Sequence, residues 1–314
     1  MAFFGLFAVL LGLWLGTKAT IHGAVAVAER LRVPEFIIGL TVLSVGSDLP
    51  ELAIAVDAAI WNLHSGEASD VVVGSALGSS LGQIGFVLGI TALIGHLALP
   101  REVVYQHGSA LLGSIVLLGL VGFDGQVTRL EGAMLAAAYA AYLIFVFADA
   151  AMNGENMEGG SDDSLALSSA YLVAGLAIVV VSAEVTVSSA VSVADALDVE
   201  QSFVAIIIIG LGTSLPELSI SLGAILHQRA NLSIGNLIGS NVFDTLMPVG
   251  VAAAIAGLNF KVEMWRQELP FLFGLTLVVL FFFTRSRGIR RPEAAIVLGL
   301  YIAFATLKIQ EVVL

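Results

Sequence analysis

Two copies of one short motif place a glutamate directly after a proline inside otherwise apolar sequence. Residues 46–52 read Gly-Ser-Asp-Leu-Pro-Glu-Leu, and residues 212–218 read Gly-Thr-Ser-Leu-Pro-Glu-Leu. Proline donates no backbone hydrogen bond, and its ring clashes with the carbonyl four residues earlier in a helix. In apolar surroundings the freed carbonyls must line a polar cavity or bind a ligand. Each motif therefore predicts an interrupted helix with a carboxylate beside free carbonyls, which are those of Ser44 to Ser47 and of Gly210 to Thr213.

A second pair of motifs, rich in small and polar residues, follows the first pair. Residues 74–80 read Gly-Ser-Ala-Leu-Gly-Ser-Ser, and residues 235–241 read Gly-Asn-Leu-Ile-Gly-Ser-Asn. Such runs also mediate close helix packing, which is an alternative interpretation of them. Together the four motifs supply carboxylates, hydroxyls and carbonyls, the oxygen ligands that hard cations such as Ca²⁺ and Na⁺ prefer. The oxygen-bearing side chains are those of Glu51, Glu217, Ser47, Thr213, Ser214, Ser79 and Ser240.

The composition places these motifs in a membrane. Of the 314 residues, 58% are hydrophobic and 12% are charged, against about 25% charged in soluble domains. The 25 acidic and 13 basic residues give a net charge of −12, so the chain lacks the basic face that a nucleic acid requires. The absence of cysteine excludes disulfides and thiolate metal sites. We expect an all-α integral membrane protein in contact with lipid, without a cofactor.

Ten apolar segments, each long enough to cross a bilayer as a helix, follow one another along the chain. They cover residues 2–30, 34–62, 68–96, 101–121, 127–149, 165–194, 200–226, 230–257, 264–284 and 291–313. The polar segment 151–164 separates two halves of five spans, residues 1–150 and 165–314. Because basic residues concentrate on the cytoplasmic side, we predict a multi-pass cell-membrane protein with both termini extracellular and segment 151–164 cytoplasmic. The side reached after odd-numbered spans holds eight basic residues, Arg30, Arg32, Arg101, Arg229, Arg285, Arg287, Arg290 and Arg291, against four on the other, Arg129, Lys261, Arg266 and Lys308.

The motifs recur at a long interval that relates the two halves. The first motif repeats after 166 residues, the distance from Glu51 to Glu217, and the second after 161, from Gly78 to Gly239. Each half has an odd number of predicted spans, so the second copy must enter the membrane from the opposite side. Inverted repeats of this kind place a binding site near the bilayer midplane, where interrupted helices meet. We therefore expect ten helices in two inverted repeats, with spans 2, 3, 7 and 8 interrupted around one ion site within a single chain, functional as a monomer.

The four motifs make the sequence resemble the cation/calcium exchanger superfamily, and within it the prokaryotic and archaeal sodium/calcium exchangers. The resemblance covers essentially the whole chain and is most specific in the two alpha-repeat motifs, residues 46–83 and 212–244. It implies an antiporter that exchanges Na⁺ for Ca²⁺ by alternating access, with the divalent ion between Glu51 and Glu217. The ion ligands that it implies are Glu51, Ser47, Ser79 and the carbonyl of Ser44 in the first repeat, and Glu217, Thr213, Ser240, Asp244 and the carbonyl of Gly210 in the second.

The first repeat departs from the family pattern at positions that bear on the ion site. Asp48 stands where the family has serine, and Gln83 stands where it has asparagine or aspartate. Asp48 raises the number of candidate carboxylates to four, whereas one Ca²⁺ balances only two. Clustered like charges favour protonation, so a proton-coupled antiporter of Ca²⁺ or another divalent cation, with Asp48 and Asp244 binding the proton, is the alternative function. A second interpretation of Asp48 is that it faces the cytoplasmic vestibule and attracts cations there.

Other functional classes find less support in the sequence. An intramembrane serine protease needs a base beside its serine, and no histidine neighbours the motif serines in sequence. A channel would most simply need a pore at the axis of a symmetric oligomer, whereas this repeat forms its site within one chain. We expect a transporter and not an enzyme.

Two further charges lie within predicted spans. Lys18 and Glu184 are separated by the same 166 residues as the first motifs. Because intramembrane charges usually pair, we predict an ion pair between the first and sixth spans. The alternative is that each side chain snorkels or meets water separately.

Overall fold

The computed structural model describes residues 2–65, 69–153, 164–196, 214–285 and 288–313. In these ranges the chain is almost entirely helical, which confirms the predicted all-α membrane class. The helices are α1 (Ala2–Leu31), α2 (Glu35–Ser47), α3 (Leu49–Ser65), α4 (Ser69–Ile94), α5 (Arg101–Val121), α6 (Arg129–Asn153), α7 (Leu165–Ala196), α8 (Leu215–Leu226), α9 (Ala230–Ala256), α10 (Met264–Arg285) and α11 (Arg291–Val313). Two short strands, β1 (Gln126–Val127) and β2 (Leu258–Asn259), pair antiparallel.

The described helices follow the predicted spans. Seven of them, α4 to α7 and α9 to α11, are long and apolar enough to cross a membrane, and the bent pair α2 and α3 makes up to eight. The predicted seventh span is described only from Ser214 onwards, where α8 follows. The predicted interruption of the second span is present, because α2 and α3 meet at an angle of 43°.

The predicted interruptions of the third and eighth spans are not observed. Helix α4 is continuous apart from a π-helical turn at Gln83–Val87, and α9 runs unbroken although Pro248 lies inside it. The glycines of α9 instead allow close packing. A Cβ atom added to Gly235 would lie 2.2 Å from the carbonyl oxygen of Phe36, and one added to Gly239 would lie 2.1 Å from that of Leu40. The α2 and α9 backbones therefore lie in direct contact, which brings the end of α2 beside the middle of α9.

Helices α1 and α7 pack antiparallel along each other, and their register rules out the predicted Lys18–Glu184 pair. Gly12 lies against Ser182, and Gly23 lies against Leu172. This register places Lys18 about seven residues, or ~10 Å along the helix, from the point opposite Glu184.

Both side chains are exposed, and the described ion pairs do not include either of them. The Lys18 ammonium lies 5.6 Å from the centroid of the Trp14 ring instead. The prediction is wrong because equivalent positions in two copies of a repeat need not lie opposite each other when the helices that carry them pack antiparallel.

Contacts between helix connections group them at two ends of the molecule. At one end the Arg229 guanidinium pairs with Glu35 at 2.5 Å, and Leu97 bridges Ile289 through backbone hydrogen bonds. At the other end β1 pairs with β2. The first two contacts join connections that follow odd-numbered predicted spans, whereas the strand pair joins connections that follow even-numbered ones. This grouping is what helices that cross a membrane alternately require.

Candidate ion-binding site

Four carboxylates from the two halves gather where helices begin or break. Glu51 lies in the first turn of α3, Glu217 in the first turn of α8, Asp48 at the break before α3, and Asp244 in the middle of α9. Glu51 is 7% exposed and the other three are fully buried. The Asp48 carboxyl lies next to that of Glu217 and is close enough to Asp244 and Glu51 for their charges to repel. The structure thus brings together all four acids that the sequence singles out.

The two glutamates occupy equivalent positions on nearly identical backbones. Asp48 has φ −93° and ψ 1°, and Ser214, which is 166 residues later, has φ −89° and ψ 6°. The carbonyl of Asp48 accepts a hydrogen bond from the amide of Leu52 at 3.2 Å, and that of Ser214 accepts one from Leu218 at 2.9 Å. The sequence repeat is therefore also a structural repeat at this point.

The prolines begin helices rather than distorting their interiors. Pro50 and Pro216 each occupy the second residue of α3 and α8, where the missing amide hydrogen would have no helical partner. The carbonyls before Pro50 are consequently less free than predicted. The Ser44 carbonyl accepts hydrogen bonds from the Asp48 amide at 3.0 Å and from the Ser47 hydroxyl at 3.2 Å. These bonds occupy the Ser44 carbonyl in this conformation, and its expected role as an ion ligand stays a prediction that requires one of them to be given up.

Many oxygens of the site lack any hydrogen-bond partner. In the described part of the chain they include Asp48 Oδ2, Glu51 Oε2, both carboxylate oxygens of Glu217, Asp244 Oδ1, Gln83 Oε1, and the hydroxyls of Ser214 and Ser240. A buried polar atom without a partner costs free energy, and a buried charge costs more. The ion pairs among the described residues involve none of these acids. Such a set of unpaired oxygens is suited to a hard cation.

Gln83 connects the two halves at this site. Its amide nitrogen donates a hydrogen bond to Asp244 Oδ2 at 3.0 Å and another to the Ser79 hydroxyl oxygen at 3.3 Å. Gln83 and Asp244 are equivalent residues of the two repeats, separated by 161 positions. An amide in the first half thus orients a carboxylate of the second half, while the Ser79 hydroxyl also lies beside Asp244.

The remaining predicted ligands divide into two groups. Ser47 is fully buried, and its hydroxyl lies 3.5 Å from Asp48 Oδ1 and also beside Glu217. Thr213 and Gly210 lie outside the described residues. Among the described residues, no group of three or more histidine, aspartate or glutamate side chains is arranged to hold a metal ion by itself.

Sequence reasoning missed one residue at this site, Tyr139 of α6. Its side chain is 3% exposed, and its hydroxyl interacts electrostatically with Asp48 and Asp244 without a hydrogen-bond partner. Helix α6 carries none of the four motifs, so their spacing could not indicate it. The available signal was a tyrosine in an apolar span, because a buried tyrosine hydroxyl usually needs a partner.

Comparisons with known proteins agree with this architecture. The sodium/calcium exchanger protein family matches residues 1–148 and 167–310, and the gap spans the polar segment between the two halves. The chain is 30% identical over 296 residues to the putative antiporter CaxA of Alkalimonas amylolytica, covering 90% of this chain and 91% of that protein. It is 25% identical over 338 residues to the sodium/calcium exchanger MaX1 of Methanosarcina acetivorans, covering 92% and 93% respectively.

A solved structure of the sodium-calcium exchanger NCX_Mj, soaked with zero Na⁺ and Ca²⁺, aligns over 98% of both chains. Its TM-score is 0.83 and its sequence identity is 28%. The named relatives are exchangers and antiporters rather than enzymes, as expected from the sequence. On the strength of the family match over both halves, this chain belongs to the sodium/calcium exchanger protein family.

Proposed function

We propose that the protein is a secondary active antiporter that exchanges Na⁺ for Ca²⁺ by alternating access. The observation that carries this proposal is the cluster of four buried carboxylates, two from each half, without a basic partner among the described residues. A cation is the group that such a cluster lacks. The relatives named as sodium/calcium exchangers support Na⁺ as the coupling ion.

The coupling follows from shared ligands. Glu51 and Glu217 bind Ca²⁺ between them, and the hydroxyls of Ser47, Ser79 and Ser240, with Asp244, extend the site for Na⁺. Because both ions use the same carboxylates, occupancy by one excludes the other. The empty site leaves four buried negative charges close together, so the free energy of reorienting it without an ion is high. Exchange is then favoured over leak.

The architecture that we propose for this cycle is the inverted repeat of ten spans. The equivalent backbones at Asp48 and Ser214 and the grouping of connections at two ends support it. The extracellular termini and the cytoplasmic segment 151–164 follow from the distribution of basic residues. One chain contains both copies of the motif, so the monomer is the functional unit.

A proton-coupled antiporter of divalent cations is the competing function. It is favoured by the position of the Asp48 carboxyl next to that of Glu217, because adjoining carboxyl groups can share a proton. In that case Asp48 and Asp244 would carry the coupling ion.

Flux measurements separate the two functions. Purified protein in proteoliposomes is loaded with Na⁺, K⁺ or choline, and ⁴⁵Ca²⁺ uptake is followed with and without an imposed pH gradient. We expect uptake to require internal Na⁺ and to be unaffected by the pH gradient. Uptake that follows the pH gradient without Na⁺ would replace sodium coupling with proton coupling, and uptake that follows neither would contradict both functions.

A further inference from the structure

Helix α6 packs closely against α9 and presents Tyr139 to the ion site. A Cβ atom added to Gly132 would lie 2.5 Å from the amide nitrogen of Ala254, and one added to Gly250 would lie 2.8 Å from that of Ala136. These contacts give an antiparallel register that places Tyr139 opposite Met247, about one turn of α9 from Asp244. The Tyr139 ring lies edge-on to Phe243, with centroids 5.3 Å apart and an interplanar angle of 87°.

The Tyr139 hydroxyl is a buried donor beside buried acceptors. The side chain is 3% exposed, and its hydroxyl has no hydrogen-bond partner. Of the two neighbouring acids, Asp244 already accepts a hydrogen bond from Gln83 at 3.0 Å. Asp48 has no comparable donor, because the Ser47 hydroxyl is 3.5 Å from Oδ1 and Oδ2 is unpaired. Each of these two acids keeps one unpaired oxygen, but Asp244 is also held by the Gln83 amide, so Asp48 is the one that hydrogen bonds orient less firmly.

Tyr142, one turn further along the same helix, provides a contrast. Its hydroxyl lies 2.9 Å from Nδ1 of His107, so its hydrogen bond is satisfied away from the four acids. The two tyrosines share a helix, a size and an apolar environment, but of the two it is the Tyr139 hydroxyl that lies within electrostatic range of Asp48 and Asp244. This difference separates a role at the site from a role in packing.

We propose that Tyr139 is a positioning residue of the ion site, and that its hydroxyl donates a hydrogen bond to the Asp48 carboxylate when a cation is bound. The bond holds the ionised carboxylate towards the cation without adding charge to the site. This inference rests on the proposed function in one respect, since it takes the four acids to be the site where Ca²⁺ binds. It assigns an ion-site role to a helix outside both sequence motifs.

The test is a double-mutant cycle in full-length protein. Tyr139→Phe and Tyr142→Phe are each made in the wild-type and Asp48→Ser backgrounds. The apparent KM for Ca²⁺ and the maximal rate are measured by ⁴⁵Ca²⁺ flux. Ca²⁺ binding is measured separately as the Ca²⁺-dependent rise of the unfolding midpoint, which requires no transport. The midpoint without Ca²⁺ reports on folding.

A hydrogen bond to a charged group corresponds to about a tenfold change in affinity. We expect Tyr139→Phe to raise the KM for Ca²⁺ by that factor in the wild-type background. In the Asp48→Ser background the rise should be less than about twofold, because the acceptor of the hydrogen bond is absent and differences below about twofold lie within the tolerance of additivity. Tyr142→Phe should leave the KM unchanged in both backgrounds. An equal rise from Tyr139→Phe in both backgrounds, or no rise in the wild-type background, would overturn the proposal.

The same data distinguish this inference from the proposed function. If wild-type protein shows Ca²⁺-dependent stabilisation without Na⁺-driven flux, the proposed coupling fails while the cycle on Ca²⁺ binding still tests Tyr139. If wild-type protein transports normally and Tyr139→Phe binds Ca²⁺ as well as wild type does, the inference about Tyr139 fails alone. If wild-type protein shows no Ca²⁺-dependent stabilisation, the proposed function and the inference about Tyr139 are both contradicted.

Discussion

The break before α3 and the start of α8 have nearly the same backbone but different side chains. Asp48 and Ser214 differ by only a few degrees in φ and ψ, yet one carries a carboxylate and the other a hydroxyl. The next helices reverse this difference, because Gln83 carries an amide where Asp244 carries a carboxylate. Each half therefore supplies two acids, from different places in the repeat.

This difference shows how a repeat with equivalent backbones forms a single asymmetric cluster of acids. Backbone symmetry depends on where proline starts a helix, and both halves have proline at that position. Chemical asymmetry depends on which side chain each half presents to the other. Gln83 donates to Asp244, and Asp48 lies next to Glu217, so each departure in the first half contacts an acid of the second. Substitutions that break or restore the equivalence of the halves test this interpretation.

The largest expected effect comes from neutralising either equivalent glutamate. Glu217→Gln and Glu51→Gln should each lower Na⁺-dependent ⁴⁵Ca²⁺ uptake by about a hundredfold or more, because removal of one charge from a buried ionic site costs about 3–5 kcal/mol. Asp57→Asn is the control, because Asp57 is an exposed acid on α3. Normal uptake by either glutamine variant would contradict the shared site, and a large difference between them would show that the halves contribute unequally.

Gly239→Ala should have the next largest effect, on stability. The added Cβ atom would lie 2.1 Å from the Leu40 carbonyl oxygen, so α2 and α9 must separate. Such overpacking should lower the unfolding midpoint in detergent by about 5 °C. Gly274→Ala on α10, where a Cβ atom meets no atom of the described residues within 4 Å, should leave it nearly unchanged. Equal effects from the two variants would remove the assigned packing role.

Exchange of the side chains at Asp48 and Ser214 tests the chemical asymmetry directly. Asp48→Ser should weaken Ca²⁺ binding by about tenfold, because it removes one acid from the site. The double variant Asp48→Ser/Ser214→Asp restores four acids on equivalent backbones and should recover affinity to within about threefold of wild type. Ca²⁺ titration of the unfolding midpoint measures both. If the double variant binds Ca²⁺ as weakly as Asp48→Ser does, the half of the molecule that supplies the carboxylate matters more than the number of acids.

The smallest effects are expected at Lys18 and Glu184, which are equivalent in sequence but do not meet in the structure. Lys18→Ala and Glu184→Ala should each change transport and the unfolding midpoint little, and their effects should add within about 0.5 kcal/mol. Control variants in the same helices are Ala19→Ser and Val185→Ala. Non-additive effects in the double variant would restore the ion pair predicted from sequence.

Local chemistry made much of the site predictable. The proline before Glu51 indicated an interrupted helix, which is present between α2 and α3, and all four acids singled out by sequence gather in one place. The offset between motifs indicated the internal symmetry. The predicted interruptions of the third and eighth spans failed because they were inferred from local sequence alone. The glycines of α9 serve packing, and the Ser44 carbonyl is occupied by hydrogen bonds.

By itself, the sequence determined the membrane class, the repeat, the family resemblance and the four candidate acids, because these depend on composition and on neighbours along the chain. Only the tertiary structure decided which equivalent residues meet. Lys18 and Glu184 lie apart, whereas Gln83 and Asp244 are in contact. It also brought Tyr139 to the acids from a helix without a motif. The physical reason is that a repeat in sequence fixes neighbours along the chain, whereas contact between the two halves depends on how the helices pack and in which register.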